Sequence, residues 1–343
     1  MAVRCRALDE PTESAWDAFV YARPDGTFFH RAAWRHVIAR AFAHQACYLL
    51  AEQDGAITGV LPLVHVKTRL FGNGLVSVPF CVYGGPLAAD DETAQVLARE
   101  AAQLMLKSGA QFCEFRFLHS SGSGWPESGT LYETFRKRLP ATEEAVLQSI
   151  PRKQRAVVRK GITSGLRARV DREADRFFGL YAESVHNLGT PVFPRRYFRL
   201  LLDLFVESAE VLTVEDSGRA VSAVLCFRFR DEILPYYAGG GRDARGRGGH
   251  DFMYWEVMRR AVARGLDLFD FGRSKIGTGA HAFKKNWGFQ PAPLHYRHFL
   301  APGARMPENN PLNPKYRLLI AAWKKMPLPL ANLIGPHLVR GLG

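Results

Sequence analysis

Cysteine is scarce in this chain and badly placed for chemistry. The five cysteines of its 343 residues, Cys5, Cys47, Cys81, Cys113 and Cys226, are odd in number and scattered. None forms a Cys-x-x-Cys pair, so neither a disulfide framework nor a zinc site is indicated, and no metal is expected. Reduced, mostly buried thiols in a cytoplasmic protein fit that usage. Long apolar runs are missing too: nothing approaches the roughly 18 consecutive apolar residues of a spanning helix. The opening MAVRCRALDEP lacks the apolar core of a secretory leader, which again leads to the expectation of a cytoplasmic protein. Acid is the third scarcity. After Asp270 only Glu308 is acidic, against eleven Lys or Arg, and Arg152 to Arg169 holds seven basic residues and no acid. Such fields attract phosphates, nucleic acid or anionic lipid, although a merely soluble basic surface has the same composition.

What is present is the material of packed domains. Hydrophobic residues make up 47% and aromatics 12%, with a net charge of +13, which excludes a disordered chain and allows two cores of ordinary size. The same order of elements reads twice, offset by roughly 155–165 residues. In the first half, a strand from Ala46 turns at Asp54-Gly55 into the run Ala56 to Val66. A strand over Leu75 to Tyr83 is expected next, then a helix from Asp91 that stops at Gly109, then an alternating strand Gln111 to Leu118. In the second half, Val211 to Glu215 turns at Ser217-Gly218 into a long strand whose Val221, Ala223, Leu225, Phe227 and Phe229 share one face. Ile233 to Ala238, the triplet Gly239-Gly240-Gly241, an Arg/Gly loop, a helix His250 to Arg264 and a strand Leu266 to Phe271 follow. The pattern predicts an α+β protein of two similar domains. Each is a mixed, mostly antiparallel sheet flanked by helices and closed by a late β-α-β unit, with the join near Pro140 to Pro151.

Domains over 1–145 and 146–300 are therefore expected, followed by a Pro-rich linker and short basic tail over 301–343. The linker is APGARMPENNPLNP, and KYRLLIAAWKK (Lys315 to Lys325) reads as a short amphipathic helix with basic ends. Two readings of the tail stand. It is an interfacial anchor giving peripheral membrane contact at the inner face of an anionic membrane, or it packs on its own domain, since Pro327, Pro329 and Pro336 break any long helix.

The richest stretch is Leu266 to Phe289, LDLFDFGRSKIGTGAHAFKKNWGF. With the preceding Gly-rich loop and aromatic helix it resembles the second domain of the FemAB-like aminoacyl and acyltransferases, within the wider GNAT acyltransferase superfamily. PRKQRAVVRKGITSGL (Pro151 to Leu166) is similar to the basic helix that opens that domain. HNLGTPVFPRRYF (His186 to Phe198), together with DFGRSKIGTGAHAFKKNWGF (Asp270 to Phe289), resembles, in particular, FemAB-related proteins associated with PEP-CTERM and exosortase systems and with exopolysaccharide biosynthesis. The resemblance implies tandem GNAT-like domains and transfer of an acyl or aminoacyl group to an amine or hydroxyl of a cell-envelope or exopolysaccharide precursor. It implies a donor that is either aminoacyl-tRNA or acyl-CoA, no tightly bound cofactor, and a transfer site at Lys284, after Phe283. The GNAT pyrophosphate loop is half met by Asp243-Ala-Arg-Gly246-Arg-Gly248, where Arg245, Gly246, Arg247 and Gly248 are candidates for donor phosphates at a helix N-terminus.

Other candidates follow from residue type. Lys284 offers a compact charge for an oxyanion or leaving group, and its replacement by Ala is expected to leave folding intact. Asp270 points inward by alternation and needs a partner, Arg273 or Lys275 being near; it acts as a base or ties strand to loop. His186 suits a general base, or else a helix-end backbone bond. His281 is a weaker candidate of the same kind. The resemblance implies that Asn187 and Thr190 border the acceptor, with Arg273 a further substrate-binding candidate, and Tyr237 faces an acyl carbonyl only if Tyr236 does not. Arg155 and Arg159, at i and i+4, share a helix face suited to phosphate, with Arg242 in the same role. Two further functions remain open: a CoA-dependent N- or O-acetyltransferase acting on a sugar, and a catalytically silent basic module binding RNA or membrane.

Overall fold

The computed structural model describes residues 2–68, 72–119, 126–128, 131–241, 244, 246–305 and 317–342. Two compact units emerge. One consists of Met1–Thr130, Leu294–Asn310 and His337–Gly343, the other of Leu131–Pro293 and Pro311–Pro336. Each therefore draws on chain from both sides of the expected divisions at 145/146 and 300/301. The cause is strand membership. Tyr132–Arg138 belongs to the second unit's sheet, and His295–Leu300 belongs to the first unit's.

In the first unit a six-stranded sheet runs in the order Gln45–Ala46, Val64–Thr68, Gly72–Ser77, Phe112–Phe117, His295–Leu300, Glu127–Ser128. A separate four-stranded sheet joins Arg4–Ala7, Leu49–Gln53, Ala56–Leu61 and Leu87–Ala88. Gly72–Ser77 and Phe112–Phe117 are parallel, connected through the helix Asp91–Ser108. That helix starts where Asp90 accepts the Thr93 N–H and ends at Gly109 with φ 66°, the cap expected from its sequence. Leu61, Leu75, Leu97, Ala101, Met105 and Phe115 form its core. The strand expected over Leu75 to Tyr83 stops at Ser77. Beyond it the chain is held as a loop by Arg116, whose carbonyl takes the Gly84 and Gly85 N–H groups and whose guanidinium donates to the carbonyls of Val78 and Cys81.

The second unit is built on seven strands in the order Arg167–Asp171, Ala209–Asp216, Arg219–Phe229, Glu232–Gly240, Leu268–Lys275, Tyr132–Arg138, Pro291–Pro293. All neighbours are antiparallel except Glu232–Gly240 with Leu268–Lys275. The last strand begins at Leu268 rather than Leu266, because the Gly265 and Leu266 N–H groups still close the preceding helix on Val262 and Ala261. It continues to Lys275 because Tyr132–Arg138 supplies a partner along it. Helices cover both faces. Tyr237 and Gly239 face the helix Ala174–Leu188, through Tyr181, whereas Ala238 and Gly240 face the helix Gly249–Ala263. The period of two in a strand demands that division.

Gly239 is where the first of those helices presses closest. A Cβ there would stand 2.4 Å from Tyr181 Cα and 2.6 Å from the Leu180 carbonyl oxygen. Both are backbone atoms that cannot step aside. Gly239→Ala is expected to destabilise the fold by about 3 kcal/mol, an overpacking cost. Gly179 lies on the same helix with nothing within 4 Å of its would-be Cβ, so Gly179→Ala should stabilise by about 0.5–1 kcal/mol. Chemical denaturation of the two variants checks both signs.

Candidate active site

Two parallel strands that start together and then part define the site. Glu232–Gly240 and Leu268–Lys275 share ladder pairing only at Glu232 with Leu268 and Ile233 with Phe269. Both strands carry a local cause for parting just past that point. On the first, Pro235 has no N–H to give a neighbour, and a bulge follows in which Leu225 and Cys226 face Tyr237 and Pro235, leaving Tyr236 as the extra residue. On the second, Thr134 pairs with Arg273 and Arg136 with Asp270, so Phe135 opposes both Phe271 and Gly272. Gly272 sits at φ 64°, the left-handed residue that such a bulge requires. A V-shaped opening between strands is the outcome.

Lys284 closes on the second bulge. It projects from the helix Gly279–Asn286, which the sequence shows only as a Gly-rich turn and an aromatic cluster. Its Nζ donates to the carbonyls of Phe271, Gly272 and Arg273 at 2.7, 3.0 and 3.0 Å. Successive carbonyls of a regular strand alternate in direction, so three can converge on one ammonium only because Gly272 breaks the alternation. Although the stem is partly exposed, the ammonium is enclosed. Burial pulls its pKa down to about 7, with the Asp270 carboxylate opposing the fall and Arg273 adding to it. The three carbonyls also oppose loss of the proton, since each takes an N–H that only the full ammonium supplies.

Asp270 is fully buried, and its Oδ1 accepts the Gly272 N–H at 2.6 Å. A cation that faces it is Arg136, whose Nε lies 3.3 Å from Oδ2, a residue distant in sequence. The same guanidinium binds Glu232. Burial pushes the Glu232 carboxyl up to about 7, Arg136 holding it down and Asp270 adding to the rise. Nearby, His281 Nε2 and Glu133 Oε2 are 2.6 Å apart. Arg136, Glu232 and Glu133 went unnoticed in the sequence. The only signal was the alternating YETFRKR of Tyr132–Arg138, a strand without an evident partner.

The upper end of the opening leads into the loop before the helix Gly249–Ala263. Gly248, at φ 71°, precedes that helix and lies so close to Val157 that a Cβ would meet its Cγ1 at 2.7 Å and its carbonyl oxygen at 2.9 Å. The basic helix Arg152–Thr163 thus runs directly beside the loop, and Lys160 Nζ donates to the Gly246 carbonyl at 2.8 Å. Sequence reasoning passed over Lys160 in favour of Arg155 and Arg159. Arg159 is exposed, whereas Arg155 bonds Gln148. Arg247 pairs with Asp216. Arg242 and Arg245 lie outside the described residues.

The remaining candidates are spread over the unit. Tyr237, on the parted stretch, shares a 2.8 Å hydrogen bond between its hydroxyl and that of Tyr197, within a cluster that includes Tyr181, Phe193 and Phe198. Phe283 packs on Tyr254 and Trp287, and Arg273 stacks over Tyr132. His186 ends its helix with Nε2 donating to the Trp323 carbonyl at 3.0 Å, so the tail helix Arg317–Lys325 packs on its own unit. Asn187 and Thr190 are exposed beside it.

Lys284 has a structural task that its sequence did not disclose. Lys284→Met removes the donor to three carbonyls and should cost about 2–4 kcal/mol, contrary to the expectation that truncation leaves folding intact. Thermal denaturation reads this. Glu232 makes stability depend on pH. Its folded pKa near 7 exceeds the value of about 4.3 in an unfolded chain, so the folded state binds the extra proton between those limits. Stability should fall by about 1–3 kcal/mol as pH rises from 4.5 to 7. Glu232→Gln should flatten that slope in denaturant titrations at each pH.

Residues 145–285 match the family model of an acetyltransferase (GNAT) domain. The crystal structure of FemX superposes with a TM-score of 0.68 at 15% identity, over 92% of this chain and 100% of that one. L-PGS from Bacillus licheniformis gives 0.57 at 12% identity, over 96% and 98%. A tandem GNAT protein from the clavulanic acid biosynthesis pathway gives 0.55 at 13%, over 87% and 98%. No curated protein sequence matches the chain. Identities this low carry the fold and nothing finer. The chain has an α+β, tandem GNAT-like fold, and the stretch that matches the GNAT domain model lies in its second unit.

Proposed function

We propose that the second unit transfers an acyl or aminoacyl group from an anionic donor to an amine or hydroxyl. The observation that carries this is the parting of Glu232–Gly240 from Leu268–Lys275 beside a loop flanked by basic residues. Strand edges that diverge present backbone groups to an extended, amide-bearing chain, which can bind there as an added strand does. The loop and the N-terminus of the helix Gly249–Ala263 suit the donor's phosphates, with Gly246, Gly248 and the Lys160 and Arg159 side supplying the neighbourhood. The donor is aminoacyl-tRNA or acyl-CoA. The resemblance of His186 to Phe198 and of Asp270 to Phe289 supports an envelope or exopolysaccharide precursor as acceptor, in a PEP-CTERM/exosortase setting.

In the reaction the acceptor's nitrogen or oxygen lone pair attacks the carbonyl carbon of the donor. A tetrahedral oxyanion forms, the bond to the donor's sulfur or ribose oxygen breaks, and the departing atom takes a proton while the acceptor gives one up. Tyr237 lies on the parted strand with its hydroxyl backed by Tyr197, a position suited to donate that proton. Lys284 is assigned as a positioning residue. With its three N–H groups engaged by the 271–273 carbonyls, it sets the shape of one wall of the opening and lends it positive charge. Asp270 and Arg136 hold the same wall from behind.

Donor identification is the decisive measurement. Incubation with labelled acetyl-CoA and with a charged tRNA pool should show one of the two bound and consumed, with tRNA binding falling steeply with salt. If neither is bound or consumed, the transferase reading fails and a silent binding module takes its place. Tyr237→Phe keeps the ring and its packing, so it should lower kcat by about 100-fold while leaving the melting temperature unchanged. Wild-type turnover in that variant would remove Tyr237 from the chemistry.

A further inference from the structure

A surface helix ordinarily turns its apolar side inward. The last two helices described turn only part of theirs inward and leave several leucines facing out. In Arg317–Lys325, Trp323 is buried and Ile320 and Lys324 press on Gly189, yet Leu318 and Leu319 stand outward at 82% and 66% exposure, with Ala321, Ala322 and Lys325 also exposed. In Leu328–Val339 the residues Ala331, Gly335 and Val339 are turned in and Leu328, Ile334 and Leu338 are half-buried, while Leu330 and Leu333 are exposed at 44% and 69%. Leu188, next to Gly189 beneath the first of these helices, is 65% exposed. The arrangement is anchored. His186 holds the Trp323 carbonyl, and Gly335 lies so near Val192 that a Cβ would meet its backbone nitrogen at 2.9 Å. The leucines therefore cannot roll inward without breaking those contacts.

Charge says what such a face suits. No acid follows Glu308, whereas Lys315, Arg317, Lys324, Lys325 and Arg340 do. A protein partner usually presents both signs, while an anionic bilayer presents one sign above an apolar interior. At nine and twelve residues the helices are too short to span, and no described helix is long and apolar enough to cross a membrane. Lying in the interface is the geometry left to them.

We propose that the outward leucines of these two helices, flanked by the acid-free basic tail, dock the second unit on an anionic lipid surface. Leu318, Leu319, Leu330 and Leu333 enter the boundary between headgroups and acyl chains, and the lysines meet lipid phosphates. The proposal does not depend on the donor or on turnover. Flotation of the full chain with phosphatidylglycerol-containing vesicles, against vesicles of phosphatidylcholine alone, tests it. Binding is expected to the anionic vesicles, weakened by salt and by about tenfold in a Leu318→Ser/Leu319→Ser variant and in Lys325→Glu. All three side chains are exposed, and an unchanged melting temperature confirms that the variants fold. Equal partition into both vesicle types, no partition, or binding indifferent to these substitutions would overturn the proposal. So would a concentration-dependent dimer in sedimentation that the leucine variant abolishes without any vesicle binding, which would assign the face to a second copy of the chain.

Discussion

The second unit depends on a failure of pairing. Two parallel strands meet over two residue pairs and then separate, each forced aside by its own bulge. A closed sheet at that place would bury the edges and leave no opening. The groups on which the proposed chemistry rests are arranged about this parting: Tyr237 on one strand with Tyr197 bonded to it, the lysine and its carbonyls at the other, and the loop and helix start at the end of the first. Strand bulges commonly sit beside active sites, and here two of them border the candidate site.

An opened sheet needs support from behind, and charge supplies it. Arg136 comes from a strand on the far side of Leu268–Lys275 and serves both Asp270 and Glu232. One guanidinium thereby links three strands at the point where two of them begin to diverge. Buried pairs of this kind add little net stability, because desolvation cancels much of the attraction. Their charges nevertheless meet at the place where the strands part. Lys284 performs the corresponding task at the second bulge, with carbonyls in place of carboxylates.

Local signals carried most of the architecture. The helix from Asp91 to its glycine stop, the long strand ending at Phe229 and the helix following the Arg/Gly loop could be placed from caps, turns and alternation alone. The tandem arrangement followed from their repetition. What escaped notice is long-range. Tyr132–Arg138 finds its partners more than a hundred residues later in the chain, so neither its role nor the reach of Arg136 is written in its neighbourhood. Lys284 stood out through a family resemblance. Its acceptors, however, depend on the left-handed turn at Gly272, and a backbone angle is not legible from residue type when glycine permits many. Lys160 went unremarked for a similar reason: among seven basic residues, only folding reveals which one reaches the loop.

The exchange of strands between the two halves of the chain bears on how the protein is made. The six-stranded sheet of the first unit includes His295–Leu300, between Phe112–Phe117 and Glu127–Ser128. A ribosome that has synthesised every other strand of that sheet must still add more than 150 residues before this one emerges. Until then Phe112–Phe117 is an open edge, a template for mispairing with other chains. Folding of the first unit is thus tied to completion of the second, and a fragment ending at residue 145 would retain the exposed edge permanently.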